Sequence, residues 1–333
     1  MKETSMPEIS SPITGMHCDF RQYVKDKKAI ESQRMSGNGL PDYAYSFDYE
    51  FRKKLDAIPH LYSLARKYCA TVNSRSLQEI NRQGLLVGPN QFSEVYEIGC
   101  DCAKILGIAI PNIYIINNPS MQAYTIPTDD IEPIIVIYSG LYERFRKAPG
   151  ELRCVIGHEC GHIHNKHGVY NALKAYIALG GINAGIRLFP NLLKLMTTST
   201  EYLLNAWARA GEVTCDRAAM ICCERIEDAY STNAKLLYGA TFGNENAINM
   251  EAIKQQLQMQ QNTIARLSEL EDDHPVLARR IAAEMEFAEC EVLYRWRPDL
   301  KTPGQRLRSK EETDERCHAV IDVIAPNKAQ GEN

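Results

Sequence analysis

The spacing of apolar residues changes along the chain and separates helical segments from extended ones. Apolar positions recur every three or four residues from residue 46 to about 68, with Pro59 as an expected break. The same spacing returns from about residue 91 to 106, just before Gly107. Both segments are predicted to be helices, and the glycine is expected to end the second one.

The period then shortens to that of β-strands. Three β-branched runs, at 112–116, 123–126 and 133–138, are bounded by Asn, Pro and Asp. They predict a small three-stranded sheet. The run around residues 121–125 is the most polar of the three and is the expected edge strand, to which an extended peptide can add as a further strand.

The clearest chemical signal is an H-E-x-x-H pentapeptide at residues 158–162, inside a helix-periodic segment expected to run from Pro149 to near Gly168. On a helix, His158 and His162 share one face and can occupy two corners of a zinc site. Glu159 stands beside the first ligand, where it can act as a general base on a metal-activated water. Cys160 projects to nearly the opposite side, so we expect it not to touch the metal.

A third ligand is expected on a second helix. Glu212 and Asp216 are one turn apart in a segment that is otherwise small and apolar. Two carboxylates there are costly to bury unless a cation pairs with them, although a solvated acidic face is the plainer alternative. We assign Glu212 as the third zinc ligand and Asp216 as the carboxylate that orients a ligand histidine, with one zinc per chain and an open fourth position.

His167 is a competing third ligand. The three-histidine pattern H-E-x-x-H-x-x-G-x-x-H, however, requires Gly at position 165 and His at 168, where this chain has Asn165 and Gly168. The plain interpretation of His164 and His167 is therefore two exposed cations near a helix C-terminus, favoured by the helix dipole.

The remaining segments define the predicted domains. Two or more long helices are expected between residue 169 and about 224, followed by helices at about 247–270 and 275–296. Residues 1–42 are predicted to be a poorly ordered arm, residues 43–300 the metallopeptidase domain, and residues 301–333 a charged tail in which Ser309 caps one short helix.

Composition narrows the location and the partners. A formal charge of −4 gives no basic excess for nucleic acid, so that partner is not expected. No secretory signal or membrane-spanning segment is recognised, and eleven cysteines, an odd number, fit reduced thiols. These features predict a cytoplasmic protein, with peripheral membrane contact as the lesser alternative; they do not indicate the oligomeric state.

Several motifs, in order, resemble the HtpX-like zinc metallopeptidases, relatives of the CAAX prenyl proteases and the mitochondrial OMA-type protease. The resemblance covers residues from about 47 to 296. The matching motifs are Gln122-Ala123-Tyr124 (N-A-F/Y in the family), Ser139-Gly140-Leu141, Glu151 to Gly157 before the pentapeptide, Glu212-x-x-x-Asp216-Arg217-Ala218, and His274-Pro275 with Arg280.

The resemblance implies a mostly α-helical α+β zincin-like (gluzincin) fold and a zinc metalloendopeptidase acting on polypeptides, in protein quality control or regulated proteolysis. It implies zinc binding and catalysis by the residues assigned above and substrate binding by the 122–124 strand. It also raises His274 and Arg280, by themselves a surface pair, to candidates for oxyanion stabilisation and active-site architecture. Gln122 departs from the family's usual Asn, and the transmembrane helices of the membrane-embedded members are missing, which indicates a soluble branch.

Two other functions share these residues. A peptide-binding or regulatory protein can keep the zinc fold without turnover, although its expected mark, loss of Glu159 or of a ligand, is absent here. A zinc hydrolase acting on a non-peptide amide uses the same ligand chemistry.

Overall fold

A computed structural model describes residues 35–36, 39–126, 133–178, 195, 197–238, 249, 252–253, 255 and 276–321 of the 333-residue chain. Helices dominate these residues, and a small sheet accompanies them. The helices are α1 (Ser46–Asp56), α2 (Leu61–Gln83), α3 (Ser93–Leu106), α4 (Ser139–Phe145), α5 (Pro149–His164), α6 (Gly168–Ala178), α7 (Thr198–Cys222), α8 (Ile226–Tyr238), α9 (Leu277–Phe287), α10 (Glu291–Trp296) and α11 (Lys310–Ile321), with a 3₁₀ turn at Pro298–Leu300. The strands are β1 (Gly84–Leu86), β2 (Asn112–Ile116), β3 (Ala123–Ile126) and β4 (Ile134–Tyr138).

The predicted mostly helical α+β fold is confirmed, as are the breaks in its first half. The chain leaves α1 at Asp56 and re-enters a helix at Leu61, so Pro59 lies in the interruption. Gly107 follows α3 in the left-handed conformation, with φ of 74°, and its N–H donates to the carbonyl of Ala103. A residue with a Cβ atom is disfavoured there, which explains the stop signal in the sequence.

The sheet has four strands rather than the predicted three. Its order is β1-β2-β4-β3, with β2 and β4 parallel and the two outer pairs antiparallel. The additional strand β1 follows α2 directly and has only three residues, too few to show an alternating pattern. The predicted edge position of β3 is confirmed, because β3 pairs with β4 alone among the described strands.

Helices α5 and α7 cross at very short range. A Cβ atom added at Gly157 would lie 2.7 Å from the Cβ of Cys222, and one added at Gly161 would lie 2.8 Å from the Cβ of Ala218. Glycine at these two positions therefore lets the two backbones approach. The approach brings the pentapeptide on α5 opposite the middle of α7.

The main core fills the space between the sheet and these two helices. Ile135 and Ile137 of β4, Ile156 of α5 and Ile221 of α7 are all fully buried in it. Cys160 lies in the same cluster, on the core side of α5, as predicted from its position on the helix. The helix that positions the pentapeptide is thus anchored by its apolar face.

Packed structure extends beyond both predicted domain boundaries. The boundary at residue 42 cuts through packed structure, because Leu40 is buried and the indole N–H of Trp296 donates to Asp42 at 2.6 Å. Packing also continues past residue 300, because α11 packs on the domain through buried Cys317 and Ile321. The charged sequence predicts the helix but not its burial, which depends on contacts far away in the chain.

Other segment predictions have mixed outcomes. The cap of α11 is confirmed, since the N–H of Glu312 donates to Ser309 Oγ at 3.2 Å. The helix predicted over 275–296 is two helices, α9 and α10, separated at residues 288–290. The helix predicted at 247–270 and residues 1–34 of the predicted arm lie outside the described residues, apart from a few positions of the former.

Candidate metal centre

The three predicted ligands converge where α5 faces α7. His158 Nε2 lies 3.5 Å from one carboxylate oxygen of Glu212, and His162 Nε2 lies 3.6 Å from the other. These separations place one carboxylate between two imidazole nitrogens. Such spacing suits three donor atoms that share one metal ion, because ligands around a tetrahedral ion are separated by a few ångströms.

The opposite edge of the His158 ring contacts Asp216, the carboxylate assigned to orient a ligand histidine. Its Nδ1 lies 3.0 Å from Asp216 Oδ1, so the imidazole donates from Nδ1 when Nε2 is kept for a metal. Arg280 donates to both oxygens of Asp216, at 2.8 and 2.5 Å, and its Nη1 lies 3.0 Å from Glu212. The guanidinium of Arg280 therefore fixes both acidic residues of α7, which favours the architectural role among the two predicted for it.

The charged groups of this cluster shift one another's pKa values. Burial opposes protonation of His158, but the carboxylates of Asp216 and Glu212 outweigh it and raise its pKa to about 10. Burial also opposes ionisation of Asp216, yet the contact with Arg280 lowers the pKa of that carboxyl below its ordinary value. The raised pKa of His158 shows a negative potential at its ring, and the lowered pKa of Asp216 keeps that carboxylate charged beside it. Together they provide the electrostatic condition for holding a cation there.

Glu159 is positioned from the sheet side of the cleft. The hydroxyl of Thr125, on β3, donates to Glu159 Oε2 at 2.7 Å. Burial raises the pKa of Glu159, whereas His158 and this hydroxyl oppose the rise. A raised carboxyl pKa suits a general base, because it brings proton affinity closer to the working pH. Thr125 falls within the edge strand expected at residues 121–125, but no role at the site was predicted for its side chain.

The interpretation of His164 and His167 as exposed cations is wrong. His167 has only 1% of its surface exposed, and it contacts His162 Nδ1 and Asp48 Oδ2, each at 3.0 Å. His164 Nδ1 is hydrogen-bonded to the hydroxyl of Tyr43 at 2.9 Å. Lys166, with φ of 56°, reverses the chain after α5 and turns His167 inward.

Cys215 is a second thiol near the site that the sequence did not single out. Its Sγ and one nitrogen from each of His158 and His162 lie within 4.8 Å of one another. The thiol lies on the far side of His162, 3.6 Å from His167 Nδ1, and burial raises its pKa well above the ordinary value. Glu212, between the two Nε2 atoms, is therefore the better third ligand, since a metal requires a thiolate.

The cluster opens into a cavity of about 790 Å³. His158, Glu159 and His162 line it together with Gln122, Ala123 and Tyr124, so the structure brings the predicted substrate strand to the same cleft. Gln122 is exposed just before β3, and its carbonyl accepts the N–H of Tyr138, a sheet bond that leaves the side chain free to face the cleft. His274 lies outside the described residues.

Comparison with known proteins places this cluster in a family. A family model described as peptidase family M48 matches residues 89–286, which include strands β2 to β4, α5 and α7. The chain belongs to peptidase family M48. The resemblance inferred from the motifs is thereby confirmed, and the M48 match contains the pentapeptide, Glu212, Asp216 and Arg280.

Relatives of this M48 chain carry peptidase names. The plastoglobule-localized metallopeptidase 48, chloroplastic, of Arabidopsis thaliana is 28% identical over 66% of this chain and 62% of its own length. A protease HtpX homolog of Pediococcus pentosaceus is 32% identical over 30% of this chain and 31% of its own length, and the protease HtpX of Legionella pneumophila (strain Corby) is 28% identical over 28% and 33%.

This M48 chain therefore aligns with less than two thirds of each of these relatives. No solved structure matches it. Among the described helices of the M48 chain, none has the length and apolar composition needed to cross a bilayer.

Proposed function

We propose that the protein is a zinc-dependent endopeptidase. The observation that carries the proposal is the placement of Glu212 between the Nε2 atoms of His158 and His162, at 3.5 and 3.6 Å, beside Glu159 in one cleft. Two imidazoles and a carboxylate are the ligand set of catalytic zinc sites that keep a fourth position open. Family membership supports the same conclusion.

The residues fit a divalent cation by charge as well as by donor type. Glu159, Glu212 and Asp216 are acidic and Arg280 is basic, so the buried cluster has an excess of acidic groups when the histidines are neutral. His158 and His162 would hold zinc through Nε2, and Glu212 through its carboxylate. Bound zinc lowers the pKa of a water molecule to about 7 and polarises a substrate carbonyl.

The protein's own groups then move the proton. Glu159 accepts the proton of the attacking water and delivers it to the departing amine of the substrate. Thr125 keeps the carboxylate of Glu159 oriented through its 2.7 Å hydrogen bond. Asp216 and Arg280 hold His158 and Glu212 in place, so the acidic ligands need not reorganise during the reaction.

The substrate is proposed to be an extended polypeptide that adds to β3. This strand has a free edge within the described sheet and borders the cleft at residues 122–124. An extended segment bonded to that edge would run past Glu159, because Thr125 of the same strand contacts it. His274 remains a predicted oxyanion donor, and the cytoplasmic location remains a prediction.

The test compares the wild type with Glu159→Gln. We expect both proteins to bind one zinc per chain and only the wild type to cleave an unfolded protein, since the amide cannot accept the water's proton. Equal cleavage by both would refute the assigned mechanism. Zinc and peptide binding by a wild type that cleaves nothing would instead favour the regulatory-protein alternative.

The wild type and Glu159→Gln can also be compared to identify the physiological substrates. Peptide bonds cut in a whole-cell lysate by the wild type and left intact by Glu159→Gln identify them. A set of misfolded proteins would support the proposed role in quality control, and one or a few defined sites would support regulated proteolysis.

A further inference from the structure

The second ring nitrogen of His162 contacts another imidazole rather than a carboxylate. His162 Nδ1 lies 3.0 Å from His167 Nδ1. If Nε2 of His162 offers its lone pair to a metal, the ring carries its proton on Nδ1. His162 must then donate this hydrogen bond, and His167 Nδ1 must accept it.

This assignment fixes the protonation of His167. With Nδ1 as an acceptor, the neutral ring carries its proton on Nε2, which lies 3.0 Å from Asp48 Oδ2. The same oxygen of Asp48 accepts the hydroxyl of Thr214 at 2.8 Å. That hydroxyl in turn accepts the backbone N–H of Tyr45 at 3.2 Å.

All donors in this chain of bonds point toward one carboxylate. Reversing the bond between the two imidazoles would turn a lone pair of a neutral His167 ring toward the carboxylate of Asp48. His162 is therefore held in the tautomer that frees Nε2 for a metal. We propose that His167 and Asp48 are positioning residues for the metal ligand His162, through a relay that does for His162 what Asp216 does directly for His158.

The surroundings of His167 preserve the relay's geometry. His167 and Asp48 are each 1% exposed, so water does not compete for their bonds. The indole of Trp207 packs edge to face against the His167 ring, with centroids 5.4 Å apart. A Cβ atom at Gly211 would lie 3.3 Å from His167 Cε1, so the glycine provides space for the imidazole.

Two other groups approach the same nitrogens. Asn171 Nδ2 lies 3.4 Å from His162 Nδ1, and Cys215 Sγ lies 3.6 Å from His167 Nδ1. Both contacts are longer than the 3.0 Å separation of the two imidazoles, and hydrogen bonds weaken with distance. The imidazole pair is therefore the stronger partner, and variants of the competitors can test this ranking.

The relay extends the site beyond the M48 match. Asp48 lies on α1, ahead of residues 89–286, and 119 residues before His167. The N-terminal helix of the described structure thus contributes directly to the orientation of a metal ligand. This inference rests on the proposed metal site, but it makes no use of peptide cleavage.

The experiment measures zinc affinity by chelator competition and the visible spectrum of the cobalt(II)-substituted protein. His167→Phe keeps the ring packing on Trp207 but removes the acceptor, and we expect affinity to fall about 10- to 100-fold. His167→Gln retains an acceptor oxygen and should recover part of the loss. His164→Phe is the matched control, since His164 contacts Tyr43 rather than a ligand, and it should bind zinc as the wild type does.

Asp48→Asn removes the charge of the relay with little change of size and should lower affinity less than His167→Phe. Asn171→Ala and Cys215→Ala should leave affinity unchanged. Wild-type affinity in folded His167→Phe, or a loss in Asn171→Ala without one in His167→Phe, overturns the proposal. If His167→Phe does not fold, wild-type affinity in both His167→Gln and Asp48→Asn overturns it.

The outcomes separate this inference from the proposed function. The expected affinity series in a protein that cleaves no peptide would leave the relay standing and refute the endopeptidase. If the wild type cleaves peptides but substitutions of His167 and Asp48 leave zinc affinity unchanged, the relay alone is refuted. A wild type that binds no zinc overturns both.

Discussion

Gly161→Ala tests whether the close crossing of α5 and α7 sets the geometry of the metal centre. The added methyl would lie 2.8 Å from the Cβ of Ala218 and 3.0 Å from the Cα of Cys215. The first distance is about 0.6 Å short of ordinary contact, which begins near 3.4 Å. Neither neighbour can rotate away, because one is a methyl group and the other is backbone. The helices must separate, and His158 and His162 must then move relative to Glu212.

The expected cost combines two opposing effects. Overpacking a tight contact costs about 1–3 kcal/mol. Replacing Gly by Ala inside a helix returns about 1 kcal/mol. The free energy of unfolding should therefore fall by up to about 2 kcal/mol. The functional loss should be larger, because a misplacement approaching 1 Å can cost about 100-fold in rate.

Gly99→Ala is the matched control for this substitution. Gly99 is also a buried helical glycine, and its added methyl would lie 2.7 Å from Ile113 Cδ1. That atom is the free end of a flexible side chain, so it can move at little cost. We expect Gly99→Ala to be neutral or stabilising by up to about 1 kcal/mol, with unchanged zinc affinity.

Denaturant unfolding followed by circular dichroism gives both stabilities, and chelator competition gives both zinc affinities. If Gly161→Ala matches Gly99→Ala in stability and binds zinc like the wild type, the crossing does not constrain the ligands. A stability loss without any change in zinc affinity would likewise refute the link between helix spacing and the site.

Three further predictions concern buried polar groups. Arg217→Met removes the guanidinium that lies 2.6 Å from Asp314 and should lower the free energy of unfolding by about 3–5 kcal/mol. The double variant with Asp314→Leu should recover most of this loss, and additive losses would contradict the prediction. Thr125→Val should lower kcat/KM about tenfold or more, because a hydrogen bond to the charged Glu159 contributes about 1.5–3 kcal/mol. An unchanged kcat/KM would show that this hydrogen bond does not contribute to catalysis. Burial raises the pKa of Glu284 well above 4.5, so its carboxyl holds a proton in the folded state that the unfolded chain releases. The stability of Glu284→Gln relative to the wild type should therefore increase as pH rises above about 4.5. A stability difference that stays constant across pH would contradict this prediction.

The parts of the site predicted from sequence are those whose partners share one helix. His158 and His162, one turn apart, were placed on a common face by spacing alone. Glu212 and Asp216 followed from the same rule, together with the cost of burying two carboxylates. The two pairs come together because Gly157 and Gly161 allow α5 to pack closely against α7. The glycines are visible in the sequence, but their role becomes clear only once the packed helix is known.

The failed predictions concern long-range contacts. His167 was interpreted from its place near a helix end, and a dipole argument favoured exposure. Its actual partner Asp48 is 119 residues away and showed no metal-site motif of its own. The short strand β1 and the burial of α11 were missed for the same reason, since neither a three-residue strand nor a charged helix reveals its partner through local periodicity.

The two histidines proposed as metal ligands both have their Nδ1 atoms engaged by other side chains. His158 meets Asp216 directly, and His162 reaches Asp48 through His167. Both connections end on a buried carboxylate. Each imidazole is therefore held in the orientation that leaves its Nε2 facing Glu212. The carboxylates at the two ends come from different helices, α7 and α1. The precision of the centre therefore depends on how α1, α5 and α7 pack, which makes the core of this fold part of its chemistry.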